Sequence, residues 1–219
     1  MVDKEIYIIT FLVGTAIFVL GFYIGGVINQ PRINEIKSQN DLLAIKLENI
    51  NLGMKILESM NNSKMSCDYI TEQLNEAEKE RLKIVDELQR TEEIDEGKFD
   101  ITKRKYTLSL VNIWLLSIER NKLCGRKYPT VLYFYSIGSE ACREQGKILD
   151  HIVYLYRKRN ETLTVLSFDK DFDMPIIKLL VNDLNVTQSP TIIIGNKRFV
   201  GLTSENKIMD YLCKNYNYC

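Results

Sequence analysis

The stretch Val131-Leu132-Tyr133-Phe134-Tyr135-Ser136-Ile137-Gly138-Ser139-Glu140-Ala141-Cys142 decides how the chain folds. Its first five residues are β-branched, aliphatic or aromatic and read as a buried strand. Gly138 permits a sharp turn, and Ser139 is a good N-cap for a helix starting at Glu140. Cys142 then falls in that helix's first turn, where the positive end of the helix dipole favours thiolate. Two readings stay open: a reactive thiol, or a small buried residue on an amphipathic helix.

Downstream, the helix runs from Glu140 to about Lys158 and is followed by a strand over Thr162 to Phe168. A short helix around Ile176 to Leu184 comes next, then a strand over Thr191 to Ile194. Gly195-Asn196 is a two-residue hairpin turn into Arg198 to Val200, and Glu205 to Cys213 closes as a helix. The order is β-α-β-α-β-β-α. With the strand, turn and helix around Cys142, and Ser189-Pro190-Thr191 opening the third strand, residues 128–219 resemble the thioredoxin-fold family. The resemblance implies a cis proline at Pro190 facing the redox turn, with the backbone of Ser189, Pro190 and Thr191 beside it pairing with an extended substrate peptide. On the residues alone, without the neighbouring pattern, Pro190 reads as an ordinary trans proline at the first position of a strand.

The resemblance fails at the chemical centre. Oxidoreductases of the family carry Cys-x-x-Cys, whereas this chain has Ser139-Glu140-Ala141-Cys142. The absent thiol is the attacking one. A serine hydroxyl is too weakly acidic to replace it without a neighbouring base, and the only histidine, His151, lies further along the same helix. Dithiol exchange within the turn is therefore impossible. What remains is a monothiol at Cys142, or a fold kept for binding with its chemistry gone.

Outward to the amino terminus, Ile6 to Ile28 contains no charged residue over 23 positions, roughly 34 Å of helix and enough to cross a bilayer's hydrocarbon core. The stretch ends in Gly25-Gly26-Val27-Ile28-Asn29-Gln30-Pro31 rather than a small-x-small cleavage site, so residues 1–30 read as an uncleaved anchor. Gly21 and Gly25 form a Gly-x-x-x-Gly pair of the kind that also arises by chance in membrane spans. Lys4 stands against Arg32 and Lys37, a charge balance that points the following domain into the cytoplasm.

Beyond the anchor, Ile33, Ile36, Asn40, Leu43, Leu47, Ile50, Met54 and Leu57 alternate in steps of three and four. This is a heptad seam over residues 31–62, with Asn40 at an a position. It implies either self-association through residues 33–57 or one amphipathic helix packed within its own chain. Residues 63–127 read as a helical hairpin, with helices over about Cys67 to Gln89 and Ile101 to Leu123 and a turn in the acidic stretch Glu92 to Asp100. The midpoint of Cys67 and Cys124 falls between Asp95 and Glu96, inside that turn. In an antiparallel pair the two cysteines would meet at the open end, where a disulfide would stabilise by roughly 3 to 4 kcal/mol. Such a bond requires an oxidising space. Asn61-Asn62-Ser63, Asn160-Glu161-Thr162 and Asn185-Val186-Thr187 are glycosylation-type triplets in keeping with export. We weight the cysteines above the charge balance and expect a single-pass membrane protein with its amino terminus cytoplasmic and its carboxy-terminal domain outside. Cys213 and Cys219 either pair or stay free.

Other functions find little support. With 29 basic and 29 acidic residues and no basic stripe, the chain is not expected to bind nucleic acid. No cofactor loop is recognisable, and no metal site is expected. Asp169, Asp171 and Asp173 alternate like a calcium loop but lack the glycine and distal glutamate, and read as a solvated loop. The functions in competition are a tethered domain that binds a protein or peptide client without exchanging electrons, a weak monothiol oxidoreductase using Cys142, and a coiled-coil membrane scaffold.

Overall fold

The structure is a computed structural model that describes residues 11–20, 52–53, 55–56, 63–91, 96–125 and 127–219. The chain divides into two compact units, Met1–Asn61 and Asn62–Cys219. In the first, residues 11–20 form a helix with exposed side chains, and the Thr15 hydroxyl donates to the Phe11 carbonyl at 2.8 Å. Residues 52–53 and 55–56 are helical. The rest of the expected anchor over 6–28 and of the heptad seam over 33–57 lies outside the described residues. Among the described residues no helix is long and apolar enough to cross a membrane.

The second unit holds both the hairpin and the α/β part. Helix α1 spans Ser63–Thr91 and α2 spans Glu96–Leu123. Ile70, Leu74 and Ala77 of α1 and Leu110, Val111, Ile113 and Leu116 of α2 are buried, and their three- and four-residue steps form the apolar stripe that each helix must cover. Helix α2 starts five residues before the expected Ile101. Glu96 and Asp100 suit a helix amino terminus, and Asp100 pairs with Arg104 one turn on, at 2.7 Å. Cys67 and Cys124 are joined as a disulfide across the open end of the hairpin.

Asn121 closes the connection to the sheet, donating to the Tyr128 carbonyl at 2.9 Å and accepting from the Tyr128 N–H at 2.8 Å. Then follow β1 (Thr130–Tyr135), α3 (Glu140–Lys158), β2 (Thr164–Asp169), α4 (Pro175–Asp183), β3 (Thr191–Ile194), β4 (Lys197–Val200) and α5 (Glu205–Tyr216). The sheet order is β2-β1-β3-β4, with β1 parallel to β2 and the other pairs antiparallel. This is the succession and mixed sheet that the thioredoxin resemblance implies for this part of the chain.

Side chains alternate across β1. Val131 and Tyr133 join Ile192, Ile194 and Phe199 in a core closed by Leu149, Ile152 and Tyr156 of α3 and by Ile208 and Leu212 of α5. Phe134, on the opposite face, stacks on Phe168 at 5.5 Å between ring centroids. The elements differ from expectation mainly at their ends. Pro175, with its fixed φ and missing N–H, opens α4 at the first helical position. Helix α5 continues past Cys213 to Tyr216 and stops where Asn217 takes the left-handed conformation, φ 60°.

Candidate functional site

The site is built where β1 gives way to α3. Gly138 has φ +80°, a conformation that L side chains rarely adopt, and reverses the chain after Ile137. Ser139 is the N-cap, its hydroxyl accepting the Cys142 N–H at 3.3 Å. The buried residues of α3 are Cys142, Gln145, Leu149, Ile152 and Tyr156, spaced three and four apart. Cys142 is thus the first member of the core stripe. Ser139, three residues earlier and outside the helix, stays partly exposed. Gln145 is fully buried and satisfied at both ends, donating to the Thr203 carbonyl at 3.2 Å and accepting the Thr203 N–H at 2.7 Å.

Cys142 is free and 4% exposed. Its sulfur accepts the Ser136 N–H at 3.5 Å, and its carbonyl accepts the Tyr133 hydroxyl at 2.5 Å. Burial opposes ionisation of the thiol. Hydrogen bonding to Ser139, the Ser136 N–H, Ser189 and Tyr133 outweighs it and holds Cys142 below the usual thiol range. Burial, followed by the neighbouring Cys142, pushes the Tyr133 hydroxyl well up. The alkylation rate of Cys142 in the native chain should therefore level off at a lower pH than that of a free thiol near 8.5. It should also be about tenfold or more slower than in the unfolded chain, because the sulfur is covered. Iodoacetamide kinetics against pH test this, and a native rate equal to the unfolded one would contradict the burial.

Ser136 links the turn to two other segments. Its hydroxyl lies 2.5 Å from Asp171 Oδ2 and 2.7 Å from Ser189 Oγ. Asp171 is held below the usual carboxylate range by Lys170 and then by Ser136, so it stays ionised and accepts the hydrogen bond that the Ser136 hydroxyl donates. The Ser136 and Ser189 hydroxyls are hydrogen-bonded, and either can be the donor. The Ser189-Pro190 peptide bond is cis. Pro190 is buried and its carbonyl accepts the Gly201 N–H at 2.8 Å. Thr191 is buried between β1 and β4, opposite Phe134 and Val200. Of the three residues assigned to peptide binding, Ser189 is the one left partly exposed. These bonds connect the turn carrying Ile137, 72% exposed, through Ser136, Ser189 and Pro190 to the loop carrying Leu202, 54% exposed. The two segments joined by this polar floor thus each carry one uncovered apolar side chain.

In the loop after β2 the solvated reading holds for Asp171 and Asp173, which are exposed, and fails for Asp169. Asp169 is buried, and its carboxylate pairs with Lys103 of α2 at 2.7 Å. Its other oxygen accepts the Asp171 N–H at 3.2 Å. Lys103 and Arg104 both lie over the Phe172 ring, at 4.5 and 5.2 Å, and Arg104 donates to the Asp173 carbonyl at 3.2 Å. Asp173 pairs with Lys178. The alternating carboxylates are thus each engaged by a cation, and the hairpin clamps the loop that holds Ser136. Burial, followed by the charge on Asp169, pushes Tyr135 up to about 12. The alternating Asp residues were visible in the sequence, but nothing there pointed to Lys103. His151 is exposed and meets Glu205 at 2.7 Å, tying α3 to α5 away from the turn.

No family model and no curated protein matches the chain. Solved structures resembling part of it include one described as a malarial protein, 26% identical, covering 41% of this chain and 97% of that one with a TM-score of 0.33. Thioredoxin-2 of the malaria parasite, described as a component of its protein secretion machinery, is 26% identical over 40% of this chain and 84% of its own, TM-score 0.33. Thioredoxin O2 of Arabidopsis thaliana in its oxidised state is 18% identical over 41% of this chain and 76% of its own, TM-score 0.32.

Proposed function

We propose that the chain is a membrane-tethered, extracytoplasmic thioredoxin-fold protein that holds a protein or peptide client with little or no dithiol exchange. One observation carries this reading. Ser139, where a nucleophilic thiol would be needed, is an N-cap whose hydroxyl accepts the Cys142 N–H, and Cys142 is buried and is the free cysteine. An incoming disulfide has no exposed sulfur to meet at this turn. Client binding would use the surface between Ile137 and Leu202, with main-chain pairing beside Ser189. The two disulfides favour an oxidising compartment, and the uncharged stretch over 6–28 supplies the tether.

The test uses the full chain in detergent. With Cys213 and Cys219 both replaced by serine, so that only the Ser139 turn is read, it should not accelerate insulin reduction by dithiothreitol above background, and Cys142→Ala should change nothing further. Labelled, reduced and carboxymethylated α-lactalbumin, an extended polypeptide without thiols, should bind with a Kd in the micromolar range. Ile137→Asp with Leu202→Asp should weaken it about tenfold or more. Insulin reduction abolished by changing Cys142 alone would replace this reading with the monothiol one, which the lowered thiol pKa favours. Resistance of the native chain to extraction from membranes by alkaline carbonate tests the tether, and release into the supernatant would remove it.

A further inference from the structure

A second pair of sulfurs lies away from the Ser139 turn. Cys213, in the last turn of α5, is bonded to Cys219. Cys219 is exposed and Cys213 partly so. Cys213 lines a surface depression of about 440 Å³ with Lys127, Lys214, Asn215, Tyr216 and Asn217. Between the two cysteines Tyr218 turns inward and is 2% exposed. Its hydroxyl donates to the Thr162 carbonyl at 3.2 Å, its carbonyl accepts the Tyr156 hydroxyl at 2.7 Å, and its ring lies 5.4 Å from that of Tyr156. Arg159 donates to the Cys219 carbonyl. The bridge therefore fastens a buried tyrosine to the rest of the chain through Cys219, an exposed residue.

We propose that Cys213–Cys219 is a thiol–disulfide exchange site, distinct from the Cys142 turn, that takes a dithiol protein or dithiol reagent as reductant. The reductant's thiolate attacks the sulfur of Cys219, the more exposed residue of the pair, and forms a mixed disulfide, and Cys213 leaves as thiolate. The reductant's second thiol, deprotonated, then attacks the mixed disulfide and releases Cys219. The reductant ends as a disulfide and the chain gains two thiols, the protons coming from the reductant's two S–H groups. The carboxy-terminal end of α5 disfavours negative charge on Cys213, and the positive charge of Lys127 and Lys214, which line the same depression, would offset it. Reduction removes the covalent hold on Tyr218, so exchange at the surface reaches the core.

The test is differential alkylation of the native full chain during reduction by dithiothreitol, with each cysteine followed by peptide mass. Cys213 and Cys219 should become reactive about tenfold or more faster than Cys67 and Cys124, which are both only partly exposed. The Tyr218 amide should lose hydrogen-exchange protection in step. Lys127→Glu with Lys214→Glu should slow the reaction by about threefold or more, while Lys147→Glu on the exposed side of α3 should not. If the two bridges open together, or only in denaturant, the site is structural and the proposal fails. A rate indifferent to the paired charge reversal overturns the role of the depression. Neither result bears on client binding at the Ser139 turn.

Discussion

Replacing Cys67 and Cys124 together by serine is expected to lower the unfolding free energy of the chain by about 4 kcal/mol, within a usual range of about 2 to 5 for a native bridge. The size follows from the loop. The bonded residues are 57 apart in sequence, so the cross-link removes from the unfolded chain most of the freedom of both hairpin helices and their turn. In the folded chain the bond adds little that packing has not arranged, since Ile70 and Leu74 of α1 and Leu110, Val111, Ile113 and Leu116 of α2 are already buried. The loss should therefore appear as a shift of the midpoint in a guanidinium titration under nonreducing conditions, with the native spectrum retained. A change below about 1 kcal/mol would mean that the unfolded hairpin is already compact and the bond constrains nothing.

The bond was legible because symmetry about a turn is a property of the numbering alone. Cys67 and Cys124 are equidistant from a stretch whose composition breaks two periodic segments, and antiparallel helices place such residues opposite each other. The α/β succession was legible for a similar reason. Tyr133 and Val131 against Phe134 and Leu132, and Cys142 through Tyr156 on α3, carry their burial in periods of two and of 3.6. The polar floor of the site was not legible. Ser136, Asp171 and Ser189 come from three separate loops, and hydroxyls leave no periodic trace. Nor was the partner of Asp169. Lys103 is 66 residues away on a helix with charged residues on several sides, and local charge patterns favour pairs such as Asp100 with Arg104 instead. The start of α2 at Glu96 was missed because acidic residues and Gly97 look like a turn when their role at a helix amino terminus is not weighed.

The first two of these three omissions, the polar floor and the partner of Asp169, are one structure. Lys103 neutralises Asp169, Asp169 fixes the Asp171 N–H, Asp171 accepts the hydrogen bond of the Ser136 hydroxyl, and the Ser136 N–H faces the Cys142 sulfur. The hairpin is therefore part of what sets the floor of the site, although it supplies no atom to it.

This coupling gives the other large effect. Lys103→Met is expected to destabilise the chain by about 3 to 5 kcal/mol, the cost of leaving a buried carboxylate without its cation. The side chains of Lys103 and Asp169 are only 15% and 7% exposed, so water cannot take the place of the lost ammonium. Methionine keeps the length and apolar stem of the side chain and its contact with Phe172, and the cost is then one of charge rather than of a cavity. The double variant Lys103→Met with Asp169→Leu removes both charges and should recover most of the loss, short by about 1 kcal/mol for the bond to the Asp171 N–H. Denaturant titrations of the two single variants and the double one close this cycle. In the single variant Cys142 should also alkylate several-fold faster, because Asp171 no longer holds Ser136 over the sulfur. If stability falls as stated while the Cys142 rate stays fixed, the ion pair anchors the hairpin alone and the chain of contacts from Lys103 to the thiol transmits nothing.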